Sequence, residues 1–197
     1  MKGLLLLSLL LCAGSIGVFS DTMFISPASL NVAPGQTFAV DINIDNIPDL
    51  YDYQFSLSFD PAVLAAQSIT EGALFANTND SFFIPGTINN GSGTISLTAD
   101  TLLGSVPGVA GPGTIAVVDF TALGDGSSPI EFSPASDLIL QDSLGNTLTV
   151  MPVPGSVVVS TAVTPEPSTL WLLSAAIVLM IFGSWKRIPK ARKQRLQ

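Results

Sequence analysis

The stretch Phe38-Ala39-Val40-Asp41-Ile42-Asn43-Ile44-Asp45 alternates apolar and polar residues with a period of two. On an extended chain Phe38, Val40, Ile42 and Ile44 share one face, and Ala39, Asp41, Asn43 and Asp45 the other. That is the pattern of a strand with one face buried and one face wet. The same rhythm continues outward in both directions. Tyr53, Phe55, Leu57 and Phe59 oppose Gln54, Ser56 and Ser58. Ile95, Leu97 and Ala99 repeat it, as do Ala116, Val118 and Phe120. Shorter versions follow at Ile130 and Phe132, Leu138 and Leu140, Leu148 and Val150, and Val157 and Val159.

Turn-forming residues separate these runs: Ala33-Pro34-Gly35, Asn46-Ile47-Pro48-Asp49, Asn90-Gly91-Ser92-Gly93, Gly111-Pro112-Gly113, Gly124-Asp125-Gly126 and Leu144-Gly145-Asn146. Each supplies the backbone freedom or fixed φ that a chain reversal needs. About eight or nine short strands with one apolar face each predict an all-β fold, a single jelly-roll-like β-sandwich over residues 21–160. Within it, Pro61 to Gln67 reads as a short helical turn, with Asp60 as N-cap and Pro61 at the first helical position.

Both ends read as trafficking segments. Met1-Lys2 and the apolar run GLLLLSLLLCAG (residues 3–14) form the charged and hydrophobic parts of a signal peptide, residues 1–20. Cleavage before Asp21 or nearer Gly14 fits. Near the other end, a linker over 161–167 precedes STLWLLSAAIVLMIFGSW, residues 168–185, which is free of charge. Eighteen residues at ~1.5 Å each just cross a ~30 Å hydrocarbon core. Trp171 and Trp185 stand near its ends, as an aromatic belt requires. Residues 186–197 carry six of the seven basic residues. The positive-inside rule keeps that tail in the cytoplasm and puts the sandwich outside.

Between Asp21 and Thr161 there are fourteen acids and no Lys, Arg, His or Cys. Such a field repels nucleic acid. It removes Ser-His, Cys-His and Lys-based nucleophiles, and zinc sites with nitrogen or sulfur ligands. No glycine-rich phosphate loop joins a strand to a helix. Paired carboxylates could still serve glycoside hydrolysis, but a small sandwich offers no evident deep cleft. Asp41, Asp45, Asp49 and Asp52 are candidate calcium ligands, with a solvated strand face and turn as the alternative. No other cofactor is expected. Tyr51, Phe82 and Phe83 lie in expected loops, as sugar-stacking platforms or as packing groups.

Two resemblances come from these residues. Pro165-Glu166-Pro167, the apolar span and the basic tail together resemble the PEP-CTERM sorting signal of Gram-negative bacteria. The resemblance implies export, recognition of Pro165, Glu166 and Pro167 by an exosortase, and transfer from the inner membrane to the cell surface or extracellular matrix. The two prolines would keep that segment extended. Within the sandwich, Val32-Ala33-Pro34-Gly35-Gln36-Thr37-Phe38-Ala39-Val40, then Phe59-Asp60-Pro61 with Leu64, Gly72, and the run Gly113 to Phe120 resemble the cohesin domain. That resemblance implies a non-catalytic module that holds a protein partner, a dockerin in the family's best-known case. The stretch Phe75 to Asn90 departs from it. The expected function is surface or matrix tethering linked to polysaccharide metabolism. The alternatives are a carbohydrate- or exopolysaccharide-binding module and a structural matrix protein.

Overall fold

The computed structural model describes residues 21–78 and 80–161. The signal peptide, the Pro165-Glu166-Pro167 motif, the apolar span and the basic tail lie outside the described residues. The described chain is all-β, with thirteen strands and one four-residue helix. The strands form two sheets, of five and eight strands, with the core between them.

The five-stranded sheet contains β1 (Thr22–Ser26), β3 (Thr37–Asp45), β5 (Leu64–Glu71), β9 (Gly113–Ala122) and β12 (Met151–Val153), in the order β12-β1-β3-β9-β5. The eight-stranded sheet runs β2 (Ser29–Val32), β13 (Gly155–Val159), β10 (Gly126–Phe132), β4 (Asp52–Ser58), β8 (Thr94–Leu102) and β6 (Ser81–Ile84). Two short strands complete it: β11 (Ile139–Gln141) on β4 and β7 (Thr87–Asn89) on β8. The sequence reading of eight or nine strands found β11 at Leu138 and Leu140 but missed β2, β6 and β7, whose three or four residues are too few to show a period, and the strand expected at Leu148 and Val150 is irregular chain between β11 and β12.

The alternation at Phe38 to Asp45 survives intact. Val40, Ile42 and Ile44 are buried, and they face Phe55 and Leu57 of β4 across the core. Phe120 of β9 ties the layers, stacking on Phe38 and meeting Phe59 edge-on. Tyr53 meets Phe75 of the helix α1 (Ala73–Ala76) edge-on, and its hydroxyl donates to the Ile115 carbonyl at 2.6 Å. Burying these apolar faces is the main force holding the two sheets together.

Two further expectations fail. Pro61 to Gln67 is not helical. Asp60 does cap a single turn, its carboxylate accepting from the Ala62 amide and its carbonyl from Val63 and Leu64. The chain then enters β5 at Leu64, because pairing with β9 satisfies every second backbone group and buries Leu64, Ala66 and Ile69. Local start signals yield to that gain. The second failure is in β8. Leu97 is exposed and Ala99 faces outward, while Thr98, Asp100 and Leu102 are buried. The cause is a β-bulge: Phe55 pairs with Thr98 and Leu57 with Ile95, so Ser96 and Leu97 together oppose Ser56. Leu97 takes a left-handed conformation at φ 59°. From there on, the strand's inward and outward residues are exchanged.

Strand β5 is an edge strand, yet its middle is occupied. The side-chain amide of Asn90 donates to the Ala66 carbonyl at 2.9 Å, and its oxygen accepts from the Ala66 amide at 2.8 Å.

Candidate functional site: the outer face of the eight-stranded sheet

Register places two rows of side chains side by side on this face. One row is Ile84, Ala99, Gln54 and Ile139; the other is Phe82, Thr101, Asp52 and Gln141. Neighbouring strands are ~4.8 Å apart, so three steps put Ile84 about 14 Å from Ile139. The centre of each row is small or polar, and the ends are larger. The result is an open trough of about 220 Å³. Phe82, Ile84, Leu97 and Ile139 stand on this face 57%, 46%, 51% and 39% exposed. An α-helix about 10 Å across would sit between such ridges.

Each ridge has a local cause. Strand β6 reads Ser-Phe-Phe-Ile and pairs on one side only, with β8. Phe83 therefore turns inward onto the core while Phe82 and Ile84 turn out. Ile139 alternates with the buried Leu140 on β11. Leu97 is put on the face by the bulge alone.

Ser56 holds the bulge in place. It is buried between Phe55 and Leu57. Its hydroxyl accepts from the Leu97 amide at 3.0 Å and donates to an Asp137 carboxylate oxygen at 2.7 Å. Asp137 closes a 3₁₀ turn over Ala135–Asp137, directly before β11. One hydroxyl thus fixes Leu97 and the approach to Ile139. On the floor, burial pushes the Asp52 carboxyl above its usual range. Among the described residues no cation stands beside Asp52, since residues 21–161 contain none.

The candidate calcium ligands do not converge. Asp41 and Asp45 lie on the outer side of β3, in the five-stranded sheet, and Asp52 on the outer side of β4, in the other. Asp49 is taken up by the loops, accepting from the Gly108 amide and from the Ser143 hydroxyl. Among the described residues no three acids, histidines or cysteines are grouped to hold a metal ion. Residues close in sequence were parted because consecutive strands here belong to different sheets. Of the aromatic candidates, Tyr51 is half-buried with its hydroxyl on the Gly104 carbonyl, and Phe83 packs on the core. Only Phe82 offers an open ring.

Another hollow, about 520 Å³, lies between Tyr51, Pro107 and Leu144. Its wall is the turn Asp142 to Asn146. Asp142 accepts from the amides of Leu144 and Asn146 and from the Asn146 side chain. These bonds, the Asn146 side chain foremost, hold the Asp142 carboxyl below its usual range.

Neither hollow brings together a nucleophile and a base. The trough instead has the makeup of a docking surface, apolar anchors within a polar rim. Sequence reasoning missed Ile84, Ile139, Leu97, Ser56 and Asp137. Ser-Phe-Phe-Ile is too short and too apolar to mark Ile84 as outward, and Leu97 gave no signal.

Comparison with known proteins agrees with this architecture. A family model described as a cohesin domain matches residues 23–159. Among solved structures, the OlpA cohesin of a type I cohesin–dockerin complex from Clostridium thermocellum superposes with a TM-score of 0.58 at 15% identity. The match covers 72% of this chain and 99% of that one. A non-cellulosomal cohesin from the archaeon Archaeoglobus fulgidus gives 0.58 at 19% identity, over 72% and 92% of the two chains. A type II cohesin from the cellulosome of Acetivibrio cellulolyticus gives 0.59 at 18% identity, over 70% and 95%. A comparison with curated proteins finds no match.

Proposed function

The chain belongs to the cohesin domain family, and on that premise we propose that it tethers a dockerin-like protein through the trough on its eight-stranded sheet. The observation that carries this reading is the trough itself: Phe82, Ile84 and Ile139 exposed around a polar floor, with Leu97 exposed on the same strand as Ala99 of that floor. Cohesin domains are non-catalytic binding modules, and this chain has the same role. The OlpA cohesin was solved bound to a dockerin. The partner here would place an amphipathic helix between the ridges, with basic side chains toward Asp52 and its acidic surroundings. Electrostatic complementarity of that kind sets partner choice and speeds encounter.

The two ends of the chain extend the proposal. The N-terminal run exports the protein in a Gram-negative bacterium, and the Pro165-Glu166-Pro167 segment presents it to an exosortase, which passes it to the cell surface or matrix. A dockerin borne by a polysaccharide-degrading enzyme would make the protein a tether for that enzyme. Phe82, the one open ring on the face, supports glycan binding as a second reading.

The test is a pulldown with residues 21–161 as bait and the organism's secreted proteins as prey, read by mass spectrometry. Recovery of a dockerin-bearing protein by wild type, and its loss with Phe82→Ser plus Ile139→Ser, is the expected result. Equal recovery by both baits removes the trough from the account. No protein recovered, with binding to insoluble glycan instead, moves the function to carbohydrate recognition.

A further inference from the structure

The bulge at Leu97 has a cost inside the sandwich. It turns Asp100 inward, where it is 2% exposed and neither carboxylate oxygen makes a well-formed hydrogen bond, the Thr101 and Phe82 amides standing near enough only to offset its burial in part. A buried carboxylate without donors or a cation is strongly disfavoured. The usual remedy, a lysine or arginine, does not exist between Asp21 and Thr161.

What Asp100 meets is another acid. Glu71, at the end of β5 in the opposite sheet, lies within hydrogen-bonding reach. Neither carboxylate can donate to the other unless one of them carries a proton. With a proton present, the orphaned oxygens become one half of a carboxyl–carboxylate hydrogen bond. Two carboxyls at that range do not both ionise readily. The other ionisable group facing Asp100 is Tyr53 of β4, whose hydroxyl also lies within reach of Asp100 but gives its one proton to the Ile115 carbonyl. Strand β6 and helix α1 bring no ionisable side chain. Asp119 of β9 accepts from Ser68 instead.

We propose that Asp100 and Glu71 hold one proton in common, and that this proton is a latch tying the two sheets together beneath strand β6. The latch reaches β6 by two routes. The Ser81 hydroxyl donates to Glu71, and the backbone of Asp100 pairs with that of Phe83. Without the proton, two negative charges face each other inside the sandwich. The part that yields most easily is β6, four residues long and paired on one side only.

The sign follows from the direction of titration. Burial, and then the charge of Glu71, push the Asp100 carboxyl up to about 7. When β6 opens, Asp100 returns toward the ordinary aspartate value of ~3.9. The closed state therefore binds more protons than the open one between about 4 and about 7. Opening of β6 increases with pH across that window, by at most about tenfold per pH unit, and is level above it. Because Phe82 and Ile84 ride on β6, the latch would also regulate the trough; that consequence rests on the docking reading, and the latch itself does not.

The experiment is a carboxyl-carbon NMR titration of residues 21–161, a segment with its own closed core, from pH 4 to 9. Amide-exchange protection of Phe82, Phe83 and Ile84 is followed alongside. The expected result is a titration of Asp100 near neutrality that Glu71 also senses, with β6 protection falling at least tenfold from pH 4.5 to 7.5. Glu71→Gln should move the Asp100 titration and flatten the protection profile, and Asp100→Asn should flatten it too. Should Asp100→Asn fail to fold, Glu71→Gln alone decides. Titration of Asp100 below pH 5, or β6 protection that ignores pH, overturns the latch. So does a shift of both carboxyls on adding calcium chloride that chelator reverses, since a metal ion would then be the occupant. None of these readouts needs a partner, so an empty pulldown would remove the docking reading and leave the latch standing.

Discussion

Replacing Ser56 by alanine removes one oxygen and no shape, and the structure sets what that should cost. The Leu97 amide loses its acceptor at the bulge, where the left-handed backbone leaves it no strand partner. A fully buried amide without a partner costs about 1–3 kcal/mol, and Leu97 is half-exposed, so its loss falls at the lower end of that range. Asp137 loses a donor at 2.7 Å, a bond to a charged group worth about 1.5–3 kcal/mol when buried. Asp137 is only half-buried, so water recovers much of the second term. The expected loss is about 2 kcal/mol in all. For a domain of this size that lowers the melting temperature by several degrees. Urea unfolding of wild type and Ser56→Ala gives the free energy, with the slope expected to stay unchanged. Ser58→Ala, two residues along the same strand, serves as the control and should stay within about 0.5 kcal/mol. Exchange at the Leu97 amide should quicken by more than the global loss of stability explains. A loss below about 0.5 kcal/mol at Ser56, or an unchanged Leu97 amide, refutes the idea that this hydroxyl holds the bulge.

Gly72→Ala should destabilise by about 3 kcal/mol or more, because the added methyl would overlap the Thr114 and Ile115 backbone of β9 and a paired strand cannot give way; an ordinary thermal unfolding curve for this variant would contradict that packing. Phe82→Ser should weaken a captured partner about thirtyfold, or ~2 kcal/mol, as for a central aromatic anchor, while leaving the melting temperature nearly unchanged; calorimetry on the recovered partner reads both quantities. The turn around Leu144 should respond to acid. The folded Asp142 carboxyl sits below its ordinary value of 3.8, so its contribution is present above that value and disappears as pH falls through the lower folded one. Amide shifts of Leu144 and Asn146 should hold steady down to about pH 4 and move only below it, and Asn146→Ala should bring that change to higher pH. A wild-type Asp142 that titrates at its ordinary value would show that the carboxylate does not fasten the turn.

The long central strands could be read directly because their burial depends on local alternation. Val40, Ile42 and Ile44, or Ala116, Val118 and Phe120, go inward in the order their spacing implies. What escaped the sequence depends on a partner strand. Ser96 and Leu97 form a bulge because of how β8 meets Ser56 on β4, and nothing within Thr94–Leu102 announces it. Leu64–Glu71 carries a good helix start at Asp60, but β9 offers more. Asp41 and Asp52 look like neighbours along the chain and occupy different sheets. The trough was legible only at Phe82, named as a stacking or packing ring of an expected loop, and at Asp52, named as a calcium ligand. Ile84 and Ile139 sit in strands too short to show which side is wet, and Ser56 looked like any polar residue on a strand's outer face.

A sheet that ends in a bare strand can grow by recruiting a strand from another molecule. In this fold, the carboxamide of Asn90 acts as a stopper at the middle of β5. It fills both ladder groups of Ala66 with a single side chain that has no further strand to offer. Many copies held close together would therefore meet a break in the template rather than a free zipper. At this edge, then, a neighbouring copy finds no unbroken ladder to extend.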